Sequence, residues 1–173
     1  MYIALCFVRY KGVFMQIQSL SSSDLSSAWT LCKEVFLAFD APDCTLHGVA
    51  FFLSYIAPDH LHSMVRQGQL RLYGAFENNA LSGVLALRGF SHISLLFVCA
   101  DKHRQGIGRL LIGHARQKAR QAKKHQLTVN ASPYAVPFYH AVGFCDTGSL
   151  TFQQGISYVP MCMPVSLEHE PIA

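Results

Sequence analysis

The chain has 173 residues, 51% of them hydrophobic and only 14% charged, with a formal net charge of +4. That length suits one domain with an adequate core, and so apolar a composition excludes global disorder. No apolar run approaches the length of a membrane span, so no membrane contact is expected.

Met1 to Phe14 holds a short apolar patch, Ile3 to Val8, interrupted by Arg9 and Lys11 and lacking a small-residue cleavage site. It reads as an N-terminal extension or an added edge strand rather than a signal peptide. The domain itself is expected over residues 15–165, with 166–173 as a tail. Met15 to Leu20 opens that domain. Ser22 or Ser23 followed by Asp24 signals a helix start, and Leu25, Trp29, Cys32 and Phe36 recur at helical spacing to an end near Asp40-Ala41-Pro42-Asp43. A second helix covers Leu46 to Ile56, where Pro58 breaks it. Leu70 to Glu77 and Leu81 to Gly89 alternate as strands about an Asn78-Asn79 turn, and His92 to Cys99 is a third central strand. A helix from Gly106 to about Lys124 follows, then a strand at Leu127 to Ala131 and a short helix from Pro133 to Val142. Two last strands, Cys145 to Phe152 and Ser157 to Met163, meet across Gln154-Gly155. Pro160 points to an edge or splayed position for the final strand. No internal repeat or low-complexity segment appears.

The cysteines (Cys6, Cys32, Cys44, Cys99, Cys145, Cys162) are scattered and include no C-x-x-C pair, which suits reduced thiols and makes a cytoplasmic protein the expectation. The histidines show no H-E-x-x-H or similar spacing, so no metal site is expected. Much of the positive charge lies between Arg116 and Lys124. A nucleic-acid patch or phosphate clamp is one reading; the solvated face and last turn of a helix is the favoured one, because no aromatics interleave the cations.

The most informative run is Phe97-Val98-Cys99-Ala100-Asp101-Lys102-His103-Arg104-Gln105-Gly106-Ile107-Gly108-Arg109-Leu110-Leu111. An apolar strand, a polar turn with two glycines and an amphipathic helix expose the unpaired N–H groups of a first helical turn, a setting that suits a pyrophosphate. A Walker loop would need Gly-Lys-Ser/Thr, but Arg109-Leu110 follows Gly108. A dinucleotide fingerprint would need a third glycine where Leu111 stands. His103-Arg104-Gln105-Gly106-Ile107-Gly108 instead resembles the acyl-CoA loop Gln/Arg-x-x-Gly-x-Gly/Ala of the GNAT N-acetyltransferase superfamily, departing at His103. Downstream, Leu127 to Phe144 is similar to the second signature of that family, a strand followed by a short motif. Ala135, Tyr139, Gly143 and Phe144 fall at the matching offsets, and Ser132 replaces an asparagine that touches the CoA arm. The resemblance runs from about Leu70 to Met163, and Met15 to Leu20 looks like the usual first strand of the family.

It implies an α/β (α+β) GNAT fold: a mixed, mostly antiparallel sheet of six to seven strands, splayed at the acyl-CoA site and flanked by about four helices. The order β-α-α-β-β-β-α-β-α-β-β, read from periodicity, agrees with it. The implied activity is transfer of the acetyl group of acetyl-CoA to a primary amine of a small molecule or peptide, by direct attack in a ternary complex. By the same resemblance, backbone N–H groups around Phe97 and Val98 hold the thioester and pantetheine. The backbone from Arg104 to Arg109 (Gln105, Gly106, Ile107, Gly108) holds the pyrophosphate, with the glycines allowing close approach. Tyr139 matches the tyrosine that protonates the departing sulfur, which a phenol of pKa near ~10 can do.

A primary ammonium titrates near ~10.4, so it must lose a proton before attack. His92, fourteen residues before Gly106, sits at the offset of the general-base glutamate in the histone acetyltransferase branch, and a histidine is a suitable base at neutral pH. On an alternating strand His92, Ser94, Leu96 and Val98 share one side and Ile93, Leu95 and Phe97 the other. A strand-capping histidine is the plainer reading. His103 is either a phosphate donor or merely exposed. Asp40 and Asp43, with Phe36, Phe39, Phe51, Phe52 and Tyr55 close in sequence, form either an acceptor mouth that attracts a cation or a polar helix-ending turn. The expected partners are acetyl-CoA and an amine, with no nucleic acid, and a homodimer is compatible with the chain. The alternative is an acyl-CoA-binding regulatory or sensor module without turnover.

Overall fold

The computed structural model describes residues 6–10 and 13–166. Among them are nine strands and five helices. β1 (Cys6–Tyr10) and β2 (Val13–Ser19) lead through a 3-10 turn, Ser22–Asp24, to α1 (Leu25–Phe39). The expected helix start is shifted: Ser21, not Ser22 or Ser23, is the cap, and its N–H donates to the Asp24 carboxylate at 2.7 Å, closing a capping box. A second 3-10 turn, Ala41–Asp43, precedes α2 (Leu46–Tyr55) and α3 (Pro58–Arg66). Then come β3 (Arg71–Glu77), β4 (Ala80–Arg88), β5 (His92–Val98) and α4 (Ile107–Gln121). β6 (Gln126–Ala131), α5 (Val136–Ala141), β7 (Cys145–Asp146), β8 (Thr151–Gln153) and β9 (Ile156–Pro164) complete the chain. No helix among the described residues is long and apolar enough to cross a membrane.

The strands form one open sheet in the order β1-β2-β3-β4-β5-β6-β9-β7, with β8 pairing only β9. Every pairing is antiparallel except β5 with β6. Strand alternation sorts the side chains into two cores. Leu72, Val84, Ala86 and Leu95 pack under α1 and α3, while Tyr73, Ala75, Leu85, Leu87 and Val129 pack under α4 and α5. α4 is held down by Ile107, Leu111, Ile112, Ala115 and Ala119, with Leu111 fully buried. Truncating such a leucine to alanine removes about 2–5 kcal/mol, so the start of α4 is a fixed platform. Its cations, Arg116, Lys118 and Arg120, lie off this buried stripe. Lys118 sits over the Tyr73 ring at 5.7 Å, and the Arg120 Nε donates to the Ser166 carbonyl.

Several expectations are corrected. Pro58 does not merely end α2; it occupies the first turn of α3, where its missing N–H loses nothing, and Leu61 and Met64 anchor that helix. The flanking helices therefore number five rather than four. The segment expected as one strand from Cys145 to Phe152 is broken into β7 and β8, and with β1 the strand total rises to nine. Cys6–Tyr10 is an edge strand on β2; the remainder of the expected N-terminal extension before it, and residues 167–173 of the tail, lie outside the described residues. Pro160 is not at an edge: β9 lies between β6 and β7, and the Thr147 N–H donates to the Pro160 carbonyl at 2.8 Å. β7 is only two residues long, so the sheet tolerates the donor that proline lacks.

Candidate active site

The sheet is forked. β5 and β6 pair only at His92↔Thr128 and Ile93↔Val129, then run on to Val98 and Ala131 without further pairing. Phe39, the last residue of α1, bridges the mouth of the fork. Its ring lies 5.0 Å from His103, beyond β5, and 4.9 Å from Tyr134, beyond β6.

The main chain of β5 faces the fork in a definite register. The Cys99 N–H donates to the Ser82 carbonyl at 3.0 Å. Main-chain groups alternate sides along a strand, so Phe97 also turns toward β4, and Leu96 and Val98 turn toward the fork. Phe97 thus does not present its N–H there; its ring joins the α1–α2 aromatics, 5.8 Å from Phe52, which stacks on Phe36 at 3.9 Å. Leu96 occupies the fork-facing position that the sequence reading gave to Phe97.

The side chains of β5 also depart from simple alternation. Leu95 pairs with Ala86 and Ile93 with Leu87, which leaves Ser94 as an extra, bulged residue. The bulge reverses the phase. Ile93 shares a core with Leu96 and Val98, whereas Leu95 and Phe97 pack in the other. His92 is therefore on the Leu95/Phe97 side, not with Leu96 and Val98. Its Nδ1 is 2.9 Å from the Thr128 Oγ1, at the closed end of the fork. Burial, then the Arg88 guanidinium, push its pKa down.

At the open end the chain makes a 3-10 turn, Ala100–Lys102, and enters α4 through a left-handed Gly106 with φ 87°. A side chain there would be strained, so glycine is required for the backbone path. Ile107, Gly108 and Arg109 contribute first-turn N–H groups without helical partners. The first turn contains no acidic residue, and Arg104 and Arg109 are exposed beside it. Gly108 has a different reason for lacking a side chain: a Cβ would stand 3.0 Å from the Phe138 ring, so this glycine lets α5 pack against α4. The Gln105 amide donates to the Asp101 carbonyl and holds the turn. His103 Nε2 lies 2.9 Å from the Val98 carbonyl, which fixes that nitrogen as the donor and ties the loop to β5.

Across the fork, the Ser132 Oγ accepts the Ala135 N–H at 3.3 Å and shapes the entry to α5. α5 carries Tyr139, caged edge-on between Phe138 (5.3 Å) and Phe144 (5.1 Å). Tyr139 is 4% exposed, and its hydroxyl bonds no other group among the described residues. Burial raises its pKa well above that of an ordinary tyrosine, and the negative charge of Asp40 adds to the shift. Asp40 is thus near both Tyr139 and the Ser132 hydroxyl. Burial pushes the Asp40 carboxyl up; Ser132 draws it back and Asp43 raises it slightly. The structure therefore assembles Val98, His103, Ser132, Tyr139 and Asp40 around the open fork and leaves His92 at its base.

This forked sheet, with a glycine-entered helix on one arm and a tyrosine-bearing helix on the other, is the site of an acyltransferase domain. Residues 40–165 match the acetyltransferase (GNAT) domain model, and the chain belongs to that family of acyltransferase enzymes. Among solved structures it is similar to a GCN5-related N-acetyltransferase from Rhodopseudomonas palustris, with TM-score 0.72 and 18% identity over 86% of this chain and 94% of that one. The PaiA N-acetyltransferase of Thermoplasma acidophilum, in complex with coenzyme A, aligns with TM-score 0.71 and 17% identity over 87% and 98%. The ribosomal-protein-S18-alanine N-acetyltransferase of Escherichia coli aligns with TM-score 0.60 and 16% identity over 92% and 99%.

Proposed function

We propose that the protein transfers the acetyl group of acetyl-CoA to the nitrogen of a primary amine, in one ternary complex. The observation that carries this reading is the left-handed Gly106 opening α4 beside a fork whose far wall holds the buried Tyr139, its hydroxyl free of hydrogen bonds to the described residues. Acetyl-CoA supplies an acetyl group activated as a thioester. First-turn N–H groups at Ile107 to Arg109, with Arg104 and Arg109 nearby, fit a pyrophosphate: donors converge, cations flank them and no carboxylate intrudes. The fork-facing N–H groups of Leu96 and Val98 hold an extended, amide-bearing arm as a neighbouring strand would. Ser132 and the loop before α5 line the other side. Tyr139 keeps its proton at neutral pH and gives it to the departing sulfur.

The test is a thermal-shift titration with acetyl-CoA, using ATP and NADH as controls, followed by amine-dependent release of CoA thiol. A saturable rise for acetyl-CoA alone, with release that requires an amine, supports the proposal. Binding without release on any amine favours the regulatory module instead. No shift from folded protein removes both.

A further inference from the structure

The transfer reading leaves one chemical task without a residue: removing a proton from the acceptor ammonium. We propose that Asp40 is the catalytic base, its carboxylate meeting a cationic primary amine at the open end of the fork and taking the proton that blocks attack. This rests on the acetyl-transfer reading above. Asp40 follows the last turn of α1, where its N–H donates to the Phe36 carbonyl at 2.9 Å and its carbonyl accepts the Cys44 thiol at 3.4 Å. Both ends of its peptide are therefore fixed. The preceding residue, Phe39, packs between His103 and Tyr134, so Asp40 stands at the open end of the fork. It lies near the Ser132 hydroxyl and within electrostatic reach of Tyr139. The groups that face it are Asp43 and Cys44 from its own turn, Ser132 from the β6–α5 loop and Tyr139 from α5. No cation is among them, so a carboxylate here is uncompensated until a cationic acceptor arrives.

His92 is the rival. It pairs with Thr128, four residues before Ser132, which at ~3.3 Å per strand residue is about 13 Å lower in the fork. Its Nδ1 is engaged with that threonine.

The step balances. Asp40 takes one proton from the ammonium and passes it to solvent. The nitrogen lone pair forms the C–N bond while the C–S electron pair leaves on sulfur, which takes the Tyr139 proton. The second nitrogen proton, shed as the amide forms, is collected by Asp40 and returned to the Tyr139 oxygen. One proton is released overall.

Asp40→Asn and His92→Gln are compared with the unaltered protein, using acetyl-CoA with spermidine, glucosamine and an alanyl peptide amide as acceptors. For Asp40→Asn, kcat at pH 7 is expected to fall about 100-fold or more, with the acetyl-CoA thermal shift retained. The loss should shrink as the pH approaches ~10, where amines deprotonate unaided. The acid limb of the pH–rate profile should vanish. His92→Gln should keep kcat within about 3-fold. Melting at pH 7 should not fall for Asp40→Asn, because a desolvated carboxylate is removed. Unchanged kcat in Asp40→Asn overturns the assignment while the transfer reading stands, and so does a rise in KM alone. Loss of activity in His92→Gln with Asp40→Asn active transfers the role to His92. An unaltered protein that binds acetyl-CoA but acetylates none of the amines removes both readings.

Discussion

Replacing Tyr139 with phenylalanine separates chemistry from packing more cleanly than any other change in the site. The ring is held by Phe138 and Phe144, and phenylalanine keeps both contacts. The hydroxyl bonds no other group among the described residues, so its loss breaks no hydrogen bond within them. Stability should stay within about 0.5 kcal/mol, or ~1–2 °C in Tm for a domain of this size. Activity should not. General acid catalysis contributes about 10²–10⁴-fold, or ~2.7–5.4 kcal/mol of barrier at 1.36 kcal/mol per tenfold. The assay is CoA thiol release at saturating acetyl-CoA and amine, with a melting curve on the same sample. The Tyr139 pKa lies above that of an unfolded tyrosine, so the folded state holds this proton more tightly. Its contribution to stability is present below ~10 and is lost as the pH rises beyond that. Tyr139→Phe should therefore resist alkaline unfolding better than the unaltered protein. A kcat within about 3-fold of normal would refute the acid role. An equal loss of Tm and kcat would show that the residue acts through packing.

Gly106→Ala forces a side chain onto φ 87°; acetyl-CoA affinity should fall at least tenfold with a loss of about 1 kcal/mol in stability, measured by titration calorimetry and chemical denaturation. In Gly48→Ala the new Cβ would stand 2.1 Å from the Gly155 carbonyl oxygen, so α2 and the β8–β9 turn must separate. The expected loss is about 1–3 kcal/mol, read in urea unfolding, and an unchanged midpoint would show that the turn yields freely. His114 has its pKa depressed to about 4, chiefly by burial. Its neutral form contributes stability that is complete above ~6.5 and is lost as the pH falls toward 4. His114→Gln should flatten the Tm–pH curve in that window; a parallel curve would count against the assignment.

The junction of β5 with α4 was legible because its signal is local: a strand end, a turn and a glycine all lie within a few residues of one another. Ala135, Tyr139, Gly143 and Phe144 were legible for the same reason, since one short helix and its exit fix their spacing. The facing of His92 was not. It depends on the Ser94 bulge, which arises from the fit of β5 to β4 and leaves no mark in the alternation of His92 to Val98. Pro58 was ambiguous because proline ends one helix and begins another with equal ease. Asp40 was visible as an acidic residue after a helix, open to two readings: an acceptor mouth or a polar helix-ending turn. Its proximity to Ser132 and Tyr139 joins segments some ninety to a hundred residues apart, and no short-range pattern encodes that.

The fork also divides the site by how it can change. Along β5 the fork-facing groups are peptide N–H and C=O, identical for every residue but proline, so alanine scanning of Leu96 and Val98 passes over them. Substitutions can drift along that wall while the shape it reads stays constant, and proline is the replacement expected to erase it. The other wall, from Asp40 through Ser132 to Tyr139, is made of side chains and changes with each one. One half of the cleft is written in geometry and the other in sequence. On the proposed acetyl-transfer reading, a new acceptor can therefore be acquired through a few replacements around α1 and α5 while the wall proposed to hold the carrier arm stays unchanged.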